Sequence, residues 1–360
     1  MPPPILHALL RATPSIAPIS HRGILSINGS QSTEFLNGLV ASSVRKPPQS
    51  QFSAILHPQG RVMYDIFLYA TNEGYLLEYD ARTSEAPPLL AYMKRHVLRS
   101  KVKIRSVTDE FDVWSAWGSE ADRNLETQRD WLWARSGAVE PIWTGSSNWP
   151  WGSQNHVIHD RRAVGMGRRL LVRKGDMPQE ATSHDILSSD EYLLHRILLG
   201  VPEGTPDILP MYAFPMDSNL DVMGALDFRK GCYVGQELTV RTYHTGVIRK
   251  RIFPVIIRNL NTTSHELSPV LFGEHSDIKA VSANTDRQGP RPRGTGKLLS
   301  SHGGVGLALL RLEHVAGVEK GDLELKLEVA DGDKLSRWSI HPWRPDWWPQ
   351  DTPPSSEITS

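Results

Sequence analysis

Phe228-Arg229-Lys230-Gly231-Cys232-Tyr233-Val234-Gly235-Gln236-Glu237 holds the single cysteine of a 360-residue chain. A thiol becomes a nucleophile or metal ligand as thiolate, and neighbouring cations favour that form, so Arg229 and Lys230 give Cys232 an electropositive setting with Lys230 as candidate counter-ion. Gly231 and Gly235 bracket the thiol and allow backbone conformations that a Cβ disfavours. Gln236 and Glu237 are placed to anchor the loop through backbone hydrogen bonds, and Tyr233 reads equally as a core aromatic or a partner contact. On chemistry alone the competing reading is a cysteine packed as a small hydrophobe.

Working outward, Lys230 to Glu237, with Leu238 to Arg241 and the turn Tyr243-His244-Thr245-Gly246, resembles the signature of YgfZ-type iron-sulfur cluster assembly factors. These are relatives of the T-protein (aminomethyltransferase) of the glycine cleavage system, and the mitochondrial branch fits best. Arg22 to Gly29 with Phe35 to Leu39 resembles the family's opening strand and helix. Ala54 to Arg61 resembles its first hairpin turn, and Phe214-Pro215-Met216-Asp217 its approach to the cysteine. Leu307 to Arg311 is a weaker echo near the end.

The resemblance implies an α+β fold: a T-protein-like multi-domain ring around a cavity that accommodates tetrahydrofolate, with a C-terminal β-barrel domain. It assigns residues 22–246 to the folate-binding-type region and 247–345 to the barrel. Two departures from the T-protein pattern weaken the folate site. Tyr64-Asp65 stands where T-proteins carry paired aspartates, leaving one carboxylate. In Arg196-Ile197-Leu198-Leu199-Gly200, Leu198 stands where an acid would bind the pterin edge, and a buried edge without its partner costs about 1–3 kcal/mol. Asp65, as the acid that would polarise a folate nitrogen, and Arg61 and Arg241, as partners for a folate glutamate tail, are the cavity candidates, with Tyr233 beside them. Ordinary ion pairing or a hydrogen-bonded strand acid is the alternative for each.

Composition sets the remaining bounds. The chain has 40 basic and 40 acidic side chains and a formal net charge of zero, which removes bulk electrostatics as an argument for nucleic acid or a polybasic membrane anchor. No apolar run reaches the ~18 residues of a membrane span. A single cysteine excludes an internal disulfide framework and points to a reducing compartment. It also falls short of the four ligands a cluster takes, so any cluster, such as a transient 2Fe-2S centre, must be shared with a partner. The resemblance names that partner as an A-type carrier, with 4Fe-4S enzymes as clients, the mitochondrial matrix as location, and a chain monomeric on its own. The alternative that the resemblance implies is a folate-dependent one-carbon transferase of the aminomethyl type, although the departures disfavour a conventional aminomethyltransferase.

Residues 1–21 contain no acid and suit a mitochondrial transit segment, although their prolines break an amphipathic helix and a frayed terminus is the alternative. Periodicity then predicts a strand from Ile24, a helix over Ser32 to Val40, strands Gln51 to Leu56, Val62 to Tyr69 and Tyr75 to Tyr79, and a helix over Leu89 to His96. Strands over Lys101 to Val107 and Phe111 to Trp117 follow. Ala134 to Gln154 reads as an irregular loop. His156 and His159 invite a metal reading, but a strand would point them to opposite faces. Asp190 to Leu199 reads as helix. After Gly246 the pattern turns to strands, with a mobile insertion expected over His275 to Arg293, the tryptophans of His341 to Pro349 packed on the surface, and a disordered tail over 346–360.

Overall fold

The computed structural model describes residues 3–124, 129–143, 149–260, 272, 275–283, 294–331 and 334–349. Strands Ser15–Pro18 (β1) and Arg22–Asn28 (β2) precede helix Ser32–Asn37 (α1), hairpin Gln51–Leu56 (β3) and Val62–Thr71 (β4), and strand Gly74–Asp80 (β5). Helix Leu89–Val97 (α2), strands Lys103–Ser106 (β6) and Phe111–Trp117 (β7), and helix Glu120–Asn124 (α3) follow. Next come Arg129–Trp133 (β8), Val139–Trp143 (β9), Val157–His159 (β10), Arg168–Arg173 (β11) and Asp185–Ile186 (β12). Helices Ser189–Leu198 (α4), Gly204–Asp207 (α5) and Gln236–Thr245 (α6) complete this region.

Two five-stranded sheets, ordered β3-β4-β5-β2-β6 and β10-β11-β7-β1-β12, enclose one core. Strand alternation explains why. In β4, Phe67 and Tyr69 point to that inter-sheet core, whereas Ile66 and Leu68 join a second core beneath α1 and α2. The remaining chain closes a barrel in the order β13-β16-β15-β14-β17-β18, from Lys250–Asn259 (β13), Asp277–Ser282 (β14), Thr295–His302 (β15), Val305–Arg311 (β16), Leu323–Asp331 (β17) and Lys334–Pro342 (β18). Helix Leu312–Glu319 (α7) lies between β16 and β17. The apolar face of α4, including Leu194, Ile197 and Leu198, packs against Ile252 and Ile256 of the barrel.

Several expectations are corrected. Within residues 1–21, Ser15–Pro18 pairs with β7 and β12, and Leu6 and Ile16 are buried, because their apolar side chains complete cores that later strands leave open. The expected loop over Ala134 to Gln154 contains β9, which pairs with β8 across a Ser136-Gly137 turn, and Trp151 is buried in the inter-sheet core. Tyr243 to Thr245 continue α6 instead of turning. In the expected insertion, Asp277–Ser282 is a barrel strand, its alternating Ile278 filling the barrel interior; 284–293 lie outside the described residues. Phe272 packs edge-on against Trp338 at 4.9 Å. Of the expected tail, Trp348 is buried against Phe253 at 5.5 Å, and 350–360 lie outside the described residues.

Candidate functional site

Cys232 is exposed on a loop whose two ends are both clamped. Upstream, the Asp227 amide donates to the Ala41 carbonyl at 3.0 Å, and Phe228 stacks on Tyr243 with ring centroids 4.1 Å apart. Lys230 then reaches back along α1: its Nζ donates to the carbonyls of Asn37 (2.9 Å), Val40 (2.7 Å) and Ser42 (3.0 Å). An ammonium at the end of a helix meets unsatisfied carbonyls and the negative end of the helix dipole, so this clamp is electrostatically well placed. Burial pulls the Lys230 ammonium down to about 8. Downstream, the Val234 amide donates to Gly38 at 3.1 Å, and the Tyr233 amide to Gln236 Oε1 at 3.1 Å.

A second contact fixes the start of α6. Gly235 has φ 83° and Gly60 φ 79°, and the loops that carry them interlock. A Cβ at Gly235 would stand 2.4 Å from the His57 carbonyl oxygen, and one at Gly60 2.6 Å from Leu238 Cβ. Both positions therefore require glycine on sterics and on backbone conformation alike.

Lys230 is thus not the thiol's counter-ion. Its charge is taken up by three carbonyls, and Arg229 pairs with Glu140 at 3.3 Å. Gln236 anchors the loop as expected. Tyr233 is a core aromatic beneath the Lys230 ammonium, 4.7 Å away, and burial pushes its hydroxyl up to about 12.

Arg61, Glu237 and Arg241 are brought together. They line a cavity of about 590 Å³ with Pro58, Gln59 and Phe214. Glu237 and Arg241, one helical turn apart on α6, share a face. The Arg61 guanidinium lies 3.5 Å from the Phe214 ring centroid and donates to the Tyr212 carbonyl at 2.6 Å. An adjoining cavity of about 400 Å³ runs between α6 and the barrel and contains Asp217, whose carboxyl burial pushes up to about 6, with Lys250 and Arg251 opposing that rise. The Phe214–Asp217 run could have drawn attention to it, as an acid in an otherwise apolar approach to the cysteine.

Asp65 is elsewhere and lines neither cavity. Only 3% exposed, it accepts from Arg22 Nη1 at 3.2 Å in a network that spans the two sheets. Arg22 Nε also donates to Glu78 Oε1 at 2.7 Å. Arg169 donates to Glu78 at 2.6 Å, to Glu203 at 2.9 Å and to the Tyr192 hydroxyl at 2.6 Å. Arg162 pairs with Asp160 at 2.6 Å and Glu203 at 2.7 Å. Burial alone would raise the Glu203 carboxyl, but Arg169 and Arg162 outweigh it and hold the group well below the usual carboxylate range. Sequence reading missed Glu78, Arg162, Arg169 and Glu203. The available signal was a charge inside an apolar strand, as with Glu78 between Leu77 and Tyr79. His156 sits edge-on to Phe111 at 5.5 Å, and the His159 ring lies 3.3 Å beneath the Cβ position of Gly152, so both histidines have packing roles.

With this geometry in hand, the relatives are informative. A mitochondrial iron-sulfur cluster assembly factor IBA57 homolog from Cryptococcus neoformans is 40% identical over 323 residues, covering 84% of each chain. The chain belongs to the IBA57 family of mitochondrial iron-sulfur cluster assembly factors. An IBA57 homolog from Mycosarcoma maydis is 32% identical, covering 97% of this chain and 88% of the relative. Residues 249–350 match the family described as the CAF17 C-terminal beta-barrel domain, in agreement with the closed barrel. The glycine cleavage system aminomethyltransferase T from Bartonella henselae superposes with a TM-score of 0.58 at 17% identity, covering 93% of this chain and 87% of that one. The T-protein-like fold is therefore shared, and IBA57 family membership is consistent with the cysteine motif Lys230 to Glu237.

Proposed function

We propose that this member of the IBA57 family uses the Cys232 thiol to complete the ligand set of a cluster presented by an A-type carrier, in the maturation of mitochondrial 4Fe-4S enzymes in the matrix. The observation that carries the reading is the loop itself: the sole cysteine is exposed, while the Lys230 side chain before it is bonded to carbonyls at and just after the end of α1 and the Tyr233 amide after it to Gln236 of α6. Such a base holds the thiol out without requiring it to be ordered at the moment of contact, which limits the entropy cost of docking. One thiolate is too few to hold a cluster, so the cluster is cargo shared with the carrier, whose ligands supply the remainder.

Tetrahydrofolate does not fit the residues present. Asp65 is buried and bonded to Arg22, and Leu198 faces the barrel, so neither offers a free acid to a pterin. The folate-dependent transferase reading is set aside on that ground, and Arg61 and Arg241 are left as groups of the cavity they line with Glu237 and Phe214. Calorimetry showing tight, stoichiometric tetrahydrofolate binding that Asp65→Ala abolishes would restore it.

The decisive experiment mixes the purified chain with a 2Fe-2S-loaded A-type carrier and follows visible absorption and native mass. A mixed complex with thiolate-to-iron absorption is expected for the wild type and lost in Cys232→Ser. Equal complexes from both proteins would remove Cys232 from the ligand set.

A further inference from the structure

The chain's zero net charge conceals a local concentration. Between Ala86 and Thr108 there is no acidic residue, while Lys94, Arg95, Arg99, Lys101, Lys103 and Arg105 are all exposed. Arg105 pairs with Glu110; the other five make no ion pair among the described residues. These cations belong to one place in the fold, because α2 packs against β6, the edge strand of its sheet. Cations at a helix C-terminus and on a strand edge have ordinary uses, complementing the dipole and discouraging edge pairing.

Leu98 has no such explanation. It sits at the apex between α2 and β6 with φ 45° and ψ −109°, and the Ser100 amide donates to the Val97 carbonyl at 2.7 Å. This is the first central position of a type II′ turn, which favours glycine, asparagine or aspartate. A leucine there is strained, and at 88% exposed it recovers nothing by internal packing. The apex is also held in place, since the Lys101 amide donates to Gln31 Oε1 at 2.6 Å.

We infer that the α2–β6 apex docks this protein reversibly on an anionic lipid surface, with Leu98 entering the headgroup boundary and the surrounding cations meeting lipid phosphates. An apolar tip ringed by long cationic side chains matches a membrane interface, which receives a projecting side chain without a shaped pocket. Nucleic acid is a poorer match, because the aromatic residue of this segment, Tyr92, is buried and unavailable for stacking on bases. The docking is peripheral: among the described residues no helix is long and apolar enough to cross a membrane.

The test is flotation of the full chain with phosphatidylcholine vesicles and with the same vesicles containing cardiolipin. Co-flotation is expected with the cardiolipin vesicles alone, released by high salt. The double variant Arg99→Glu/Lys101→Glu should weaken it by about tenfold or more. Leu98→Gly should weaken it several-fold while leaving the melting temperature equal or higher, an outcome that a merely structural leucine would not give. The inference is overturned if cardiolipin vesicles capture nothing at low salt, or if both variants float like the wild type. Capture on polyglutamate without capture on vesicles would assign the patch to an acidic protein and equally overturn it.

Discussion

The inter-sheet network and the cysteine loop use charged residues in opposite ways. Between the sheets, Arg22, Arg162 and Arg169 are paired with Asp65, Glu78, Asp160 and Glu203, all buried, and each guanidinium is consumed by carboxylates of the same chain. At the loop, one buried ammonium holds backbone carbonyls so that a neighbouring thiol stays exposed. The contrast teaches where chemistry remains available on this fold. Asp65, an acid that resemblance to T-proteins would assign to a ligand, is part of the protein's internal framework, while the thiol is left accessible on a surface loop.

Variants can break this comparison at either end. The largest effect is expected from Arg169→Leu, which leaves Glu78 and Glu203 buried without their shared cation. Removing one partner of a buried ion pair costs about 3–5 kcal/mol, so chemical denaturation should show a loss of that size or failure to fold. Replacement without loss of stability would show that the network is not a framework.

Lys230→Met comes next. Losing charge-assisted bonds to three carbonyls should cost about 1.5–3 kcal/mol and, more tellingly, release the loop. Hydrogen exchange at Tyr233 and Val234 should accelerate, with the shared-cluster complex with a carrier weakened although Cys232 is intact. Unchanged exchange would mean that the glycine interlock alone holds the loop.

Asp217 sharpens the comparison through pH. Its folded-state value of about 6 lies above the ordinary 3.8, so between those values the native state binds more protons than the unfolded chain. Stability should therefore fall as pH rises from about 4 to about 6 and remain lower above that. Asp217→Asn should remove this slope and raise the melting temperature at neutral pH by a few degrees, measured by calorimetry across that range.

The smallest change in stability is expected from Cys232→Ser. An exposed side chain away from packing shifts stability by about 0.5 kcal/mol or less, so its melting curve should overlay the wild type while cluster sharing is lost. A large destabilisation would instead indicate a packed cysteine.

What sequence determined by itself was local. Alternation in β3, β4 and β5 and the change to strands after Gly246 follow from side-chain period, and the cysteine motif follows from the order of residues, so each is readable along the chain. Gln236 was legible for the same reason, because it bonds an amide three residues away. Partner choice across the fold was decided only by tertiary structure. Lys230 has a neighbouring thiol in sequence but donates to carbonyls about 190 residues upstream, and Arg169 meets Glu78 across 91 residues. Asp65 likewise finds Arg22 at a separation of 43. A long charged side chain goes wherever packing leaves buried acceptors that must be satisfied, and those acceptors exist only once distant strands and helices have come together.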